Sequence, residues 1–263
     1  MHKGVKQTKK ICIIVGHGKS KNGGYDPGAV SKDGRYHEFR IAREIARMTA
    51  EELRARNIDC TLMNYDGSLY LTDRIEKANN ENYDLIAEIH LNAGGASGTE
   101  VYYQKDSKVG KAAAQQVSSG ISKALGIRNR GAKTRLNDSG SDYFAILRNT
   151  NAPALLIETA FIDSPDLELL KTPQGQRKCA SGIAGALAAQ VTPSAPPASF
   201  LVRIIADELN VREGPGTQYK IVTTVKKGEV FTITQTDKTG RWGRLKSGAG
   251  WINLGDRYVQ RVK

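Results

Sequence analysis

Two of the chain's four histidines share a local setting. His17 directly follows the apolar run ICIIVG, and His90 directly follows DLIAEI. A third run, PALLI, delivers Glu158 in the same way. Each run has the length and β-branched content of a buried strand. In an open α/β sheet, ligands bind just outside the carboxyl ends of the strands. The two imidazoles and the carboxylate are therefore expected on one rim. Glu38 opens the helical pattern EFRIAREIARMTAEELRAR (38–56). A helix that follows a parallel strand starts at the same rim, so Glu38 joins them. Two histidines and two carboxylates converging suit a metal. Catalytic zinc takes three N or O protein ligands and keeps one position for water. A nearby carboxylate then accepts that water's proton. Three of the four residues would be ligands and the fourth the base. Each has a plainer role when taken singly: His17 in a glycine-rich turn, His90 at a strand end, Glu38 at a helix N-terminus, Glu158 paired with Arg148. On one rim together they would leave charge uncompensated, which is costly.

The elements that must position these groups alternate between strand and helix patterns. KICIIV (10–15), IDCTLM (58–63), DLIAEI (84–89), TEVYY (99–103) and PALLIE (153–158) read as strands. Helical periodicity marks 38–56, with Ile41, Ile45, Met48 and Leu53 on one face. It also marks 109–125 and 175–190. Thr72 is placed as the cap of a helix running through Asn79, with Ile75 and Ala78 inward. The alternation predicts an α/β fold: a mostly parallel twisted sheet flanked by helices. VTPSAPPASF (191–200) carries three prolines and no charge, and reads as an extended linker. Beyond it, short β-branched and aromatic runs alternate with glycine-containing turns, the pattern of a small all-β barrel. The predicted domains are therefore 1–190, a linker at 191–200, and 201–263.

The chain has 263 residues, 39% hydrophobic and 25% charged, which excludes wholesale disorder and fibrous repeats. Its net charge is +12. The C-terminal piece 199–263 is the more densely basic part, with 12 basic against 6 acidic side chains. An anionic partner is implied. No dense Lys/Arg stripe interleaves with aromatics, so nucleic acid is not expected. The longest apolar runs, ICIIV and PALLI, fall far short of the ~20 residues of a membrane span. Membrane insertion is not expected either. Cys12, Cys60 and Cys179 lie far apart, without C-x-x-C spacing, and are expected to be reduced core residues. Only five apolar residues follow the basic start MHKGVKQTKK. A secretory segment needs ~7–15, so synthesis in the cytoplasm without a signal peptide is expected.

The spaced motifs resemble those of the zinc-dependent N-acetylmuramoyl-L-alanine amidases of bacterial autolysins and phage endolysins. The resemblance covers roughly residues 10–190. VGHGKSKNGGYDPGAVSKDGRYHE (15–38) is similar to the family's opening stretch, which ends in a ligand glutamate. LTDRIEKAN (71–79) is similar to its Leu-x-x-Arg-x-x-x-Ala-Asn helix. AEIHLNA (87–93) is similar to the second histidine segment, with Glu88 where Ser is usual. APALLIETAFIDS (152–164) is similar to the strand that carries the catalytic glutamate, with Ala160 in place of Gly. The resemblance implies His17, Glu38 and His90 as zinc ligands and Glu158 as catalytic base. His37 adjoins Glu38, but neighbours on a helix point about 100° apart, and the family pattern selects Glu38. Asn92 and Arg74 are candidate substrate contacts.

LNVREGPGTQYKIVTTVKKGE (209–229) and GRWGRLKSGAGWI (240–252) resemble bacterial Src-homology-three-like cell-wall binding domains. Trp242 is a candidate wall contact, and Trp251 is expected in the barrel core. The resemblances together imply a monomeric peptidoglycan hydrolase with one zinc ion. It would act at the bacterial wall on the amide between N-acetylmuramic acid and L-alanine, after release as an endolysin is. A zinc peptidase cutting within the stem peptide and a non-catalytic wall-binding protein are the alternatives.

Overall fold

A computed structural model describes residues 9–191, 199–237 and 239–262. The chain divides into two compact units, Met1–Thr192 and Pro193–Lys263. The N-terminal tail and the prolines of the linker lie outside the described residues.

The first unit runs β1 (Lys10–Val15), a small ribbon of β2 (Gly18–Lys19) and β3 (Tyr25–Asp26), α1 (Glu38–Ala55) and β4 (Asp59–Met63). It continues with α2 (Leu71–Asn79), β5 (Leu85–Asn92), β6 (Thr99–Tyr103), α3 (Lys108–Leu125) and β7 (Asn129–Lys133). It ends with α4 (Ala145–Asn149), β8 (Ala154–Phe161), α5 (Leu167–Leu170) and α6 (Pro173–Val191). Six strands form one mixed sheet in the order β4-β1-β5-β8-β6-β7. β4, β1, β5 and β8 are parallel neighbours, whereas β6 is antiparallel to β8.

Strand periodicity sorts the core into two layers. Ile11, Ile13, Val15, Leu155 and Ile157 face one way, under α1, α3 and α6. Cys12, Ile14, Ile86 and Leu156 face the other, with Ile75 of α2 and Ile146 of α4. β1 is covered on both faces, so its sequence is continuously apolar rather than alternating. In α1 the residues at helical spacing, Ile41, Ile45, Met48 and Leu53, are buried. Each such side chain contributes roughly 1.5–3 kcal/mol by leaving water. Outward, Arg47 bridges Glu44 and Glu51. The three cysteines are free and buried.

The structure corrects several element readings. Tyr70, not Thr72, caps α2: its backbone N–H donates to Asp73 Oδ2 at 3.1 Å. β8 continues past Glu158 to Phe161. β7 and α4 were not expected. β7, NRGAK, is an edge strand with no apolar run, and a polar edge of this kind resists pairing with other chains.

The second unit is a seven-stranded antiparallel sheet. It comprises β9 (Phe200–Ile204), β10 (Glu208–Arg212), β11 (Ile221–Lys226), β12 (Val230–Thr236), β13 (Trp242–Leu245), β14 (Trp251–Asn253) and β15 (Val259–Val262). Their order is β11-β10-β14-β13-β12-β9-β15. The sheet wraps an aliphatic core that includes Val202, Ile204, Val211, Ile233 and Ile252. Trp251 is half-buried rather than central, as is Trp242. β-branched side chains fill this small interior, and the two indoles lie at its margin.

Candidate metal centre

β1 stops at Val15, and Gly16 extends its pairing by donating to Ile89 O at 3.1 Å. His17 then turns sharply, with φ at 63°. Asn64 holds that turn by donating to both Val15 O and His17 O at 2.8 Å. The turn brings His17 over β5, where its ring centroid stands 4.9 Å from that of His90. Gly16 is required here: a Cβ would lie 2.3 Å from the His90 ring. Glu38, the first residue of α1, points between the two imidazoles and is 3% exposed. Gly28 passes so close that a Cβ would lie 2.5 Å from Glu38 Oε2.

The three side chains converge on one point. Glu38 Oε1 lies 2.8 Å from His90 Nδ1 and 3.2 Å from His17 Nε2. One ligand atom from each of the three residues falls within 4.8 Å of the others. The carboxylate is further held by Leu91 N, donating to Oε1 at 3.0 Å, and Ala29 N, donating to Oε2 at 2.7 Å. His37, beside Glu38, is not part of this group. It precedes α1 in extended conformation.

Behind each imidazole stands a carboxylate. His17 Nδ1 is 2.9 Å from Asp26 Oδ2. His90 Nε2 is 3.2 Å from Glu88 Oε2, and Glu88 Oε1 is 3.0 Å from Arg74 Nε. Such outer carboxylates fix the tautomer and orientation of a ligating histidine. Arg74 is 4% exposed, and its Nη1 donates to His17 O at 2.8 Å. Its Nη1 is therefore spent on the site's framework.

Glu158 sits beside His90 in the parallel β5–β8 register, so the two lie about 4.8 Å apart, one strand spacing. Its Oε2 is buried without a hydrogen-bond partner. Arg148, its possible partner, donates instead to Asp142 O and Tyr143 O. Burial, more than any neighbouring charge, pushes the Glu158 carboxyl up to about 7. Glu38 has the opposite fate. Burial opposes its charge, but hydrogen bonds from His17 and His90 hold it well below the usual carboxylate range. Burial likewise disfavours the two imidazolium forms, yet the facing carboxylates raise both, His90 far more.

Two imidazole nitrogens and one carboxylate oxygen are the donor set of a catalytic zinc site with an open position. Asp26, Glu38 and Glu88 crowd negative charge here against the guanidinium of Arg74. A dication would relieve that excess, so the residues present fit the ion. A cavity of about 310 Å³ opens beside the centre, lined in part by His17, His90, Tyr70, Phe144 and Leu156.

Asn92 lies two residues beyond His90 at the end of β5. Its Nδ2 donates to Glu100 at 3.0 Å and its Oδ1 accepts from Ala93 N. Asp26, Asn64, Glu88 and Glu100 were not singled out as contributors from sequence. For Glu88 a signal existed, since alternation in AEIHLNA places it on the same strand face as His90.

Residues 11–189 match the family model described as N-acetylmuramoyl-L-alanine amidase, and residues 207–259 match that of the bacterial SH3 domain. The chain is 29% identical to the endolysin of Bacillus phage SPP1, over 96% of this chain and 98% of the other. It is also 29% identical to the N-acetylmuramoyl-L-alanine amidase LytC of Bacillus subtilis (strain 168). That match spans 66% of this chain but only 34% of LytC. Among solved structures, an N-acetylmuramoyl-L-alanine amidase from Clostridium difficile 630 superposes with a TM-score of 0.63 at 29% identity. It covers 72% of this chain and 99% of that one.

Proposed function

The chain belongs to the N-acetylmuramoyl-L-alanine amidase family of peptidoglycan hydrolases, and we propose that His17, Glu38 and His90 hold its zinc while Glu158 moves the proton. The observation that carries this reading is the unpartnered Glu158 Oε2 on the strand next to a three-donor cluster. Bound there, zinc supplies a Lewis acid that polarises a carbonyl and brings a water's pKa toward neutrality.

The rest is done by side chains of this chain. His17, His90 and Glu38 would hold the ion, with Asp26 and Glu88 placed to orient the two rings. Glu158, with its carboxyl pushed up to about 7 by burial, is matched to neutral pH as a general base. Its Oε2 takes a proton as water adds to the lactyl carbonyl carbon. The same oxygen returns that proton to the L-alanine nitrogen as the C–N bond breaks. The products are the muramoyl lactyl carboxylate and a peptide with a free L-alanine amine.

The second unit, with its half-exposed Trp242 and dense basic charge, is proposed to hold the enzyme on the wall and raise its local concentration there. Among the described residues no helix is long and apolar enough to cross a membrane.

Digestion of purified peptidoglycan with end-group labelling tests the reaction. New N-terminal L-alanine, dependent on zinc and absent with Glu158→Gln, is expected. New reducing sugar ends, or free amines without alanine, would refute it. Glycosidases use a pair of carboxylates astride the sugar linkage, whereas a stem peptidase leaves the L-alanine nitrogen blocked.

A further inference from the structure

Glu100 lies directly across the β6–β8 ladder from Glu158 and is 3% exposed. Its Oε1 accepts from Asn92 Nδ2 at 3.0 Å and from the Tyr102 hydroxyl at 2.9 Å. Its Oε2 accepts from Arg130 Nε and from Lys133 Nζ, both at 2.5 Å. One cation would balance Glu100. The second exceeds that carboxylate's charge, and Glu158 across the ladder offsets it only while ionised.

That surplus faces solvent. The Arg130 and Lys133 side chains are 24% and 33% exposed. Each spends one donor on Glu100, and an ammonium has three and a guanidinium five. Arg130 is also steadied over the Phe161 ring, 5.1 Å from its centroid. Glu100 thus acts as a buried clamp that aims two partly free cations. Two residues on in the chain, Arg135 stacks 3.7 Å from the centre of the Tyr143 ring.

The chemistry proposed above sets what meets Lys133 and Arg130, and the inference rests on that reading. The metal ligands of β1, β5 and α1 stand on one side of Glu158, where the scissile carbonyl must sit. The leaving nitrogen must reach Glu158, so the peptide departs toward β6 and β7. Strands are about 4.8 Å apart, which puts β7 on the order of 10 Å beyond β8. Two extended residues span roughly 7 Å, and a side group or terminus covers the remainder. The group that arrives at Lys133 and Arg130 therefore belongs to the second residue of the stem peptide.

We propose that Lys133 and Arg130, aimed by Glu100, form an anion subsite that selects stem peptides with a free carboxylate on the residue following L-alanine. A carboxamide at that position forfeits the charge-assisted bond.

The test uses the full-length zinc enzyme and two synthetic N-acetylmuramoyl-L-alanyl peptides, one with a carboxylate and one with a carboxamide on the second residue. Release of the L-alanine amine is followed for both. A charge-assisted hydrogen bond corresponds to roughly a 10-fold preference in kcat/KM for the carboxylate. Lys133→Met should lower that ratio several-fold, with Arg130 left as the remaining cation, and Lys133→Arg should keep most of it. Lys123→Met removes the same charge from the exposed end of α3 and should leave the ratio as it is. Because the readout is a ratio, any shift in Glu158 protonation cancels. No preference in the wild-type enzyme overturns the subsite, even if the variants fail to fold. So does a ratio unmoved by Lys133→Met, or one that falls equally with Lys123→Met. If neither peptide yields a free alanine amine while peptidoglycan is cut elsewhere, the amidase reading fails and the subsite falls with it.

Discussion

Replacing Glu158 by Gln separates chemistry from metal binding and has a pH signature in stability. The side chains are nearly isosteric, so packing in β8 should survive. Loss of a general base typically costs 10²–10⁴-fold. Here one oxygen both accepts and returns the proton, so kcat should fall by at least roughly 10² with zinc content unchanged. The stability effect follows from burial. A free glutamate titrates near 4.5, whereas burial raises Glu158 to about 7. Folded protein therefore binds more protons than unfolded protein between these values, and wild-type stability declines as pH rises through that window. A shift of this size corresponds to about 2 kcal/mol between pH 5 and pH 8, discounted because the residue is only half-buried. Glutamine does not titrate and escapes the decline. In urea unfolding of chelator-treated protein, the variant should gain about 2 kcal/mol on wild type from pH 5 to pH 8. The absolute offset at pH 5 carries the cost of a buried amide and is not diagnostic. Parallel stability-versus-pH curves would refute the burial argument. Loss of zinc in the variant would make Glu158 a ligand and refute the assignment of roles.

Four further outcomes are expected. His17→Ala, Glu38→Ala and His90→Ala should each abolish stoichiometric zinc by elemental analysis, and should remove the thermal stabilisation that zinc gives the wild-type chain. Asp26→Asn should keep the ligands yet weaken zinc about 10–100-fold in competition with a chromophoric chelator, because His17 loses the carboxylate that orients it. kcat/KM should fall at acid pH with a midpoint at or below about 7, since Glu158 works only as the carboxylate and a nearby dication pulls its value down. Residues 199–263 have their own hydrophobic core and should co-sediment with purified walls without lysing them; binding abolished by modest salt would reduce the anchoring to charge alone.

Much of the first unit was legible because burial writes itself into local patterns. β1 is covered on both faces and reads as an unbroken apolar run. α1 is covered on one side and reads as a helical stripe. The rim residues were legible for the same reason, since His17, His90 and Glu158 follow recognisable buried apolar runs and Glu38 opens a recognisable helix. β7 was not, because an edge strand needs no apolar run. α4 is five residues long, too short for a helical period to register. The Thr72 reading failed because a threonine and a tyrosine can each precede a helix, and the choice fell to Asp73 reaching back to Tyr70 N.

The sequence by itself determined which residues reach the rim and that they include two imidazoles and two carboxylates. It also determined the two-unit plan, through the change of texture across the prolines. Only the tertiary structure decided how those groups differ. β6 runs antiparallel to β8, which places Glu100 opposite Glu158 and sets Arg130 and Lys133 beside it. Asp26 stands 2.9 Å from His17 Nδ1 and Glu88 stands 3.2 Å from His90 Nε2. Glu38 and Glu158 are the same side chain in sequence. One is surrounded by two imidazoles and two backbone donors and stays ionised. The other has a buried oxygen with no donor and holds its proton to about pH 7. A carboxylate's basicity is a sum over desolvation and neighbours brought from distant parts of the chain, and that sum exists only once the chain has folded.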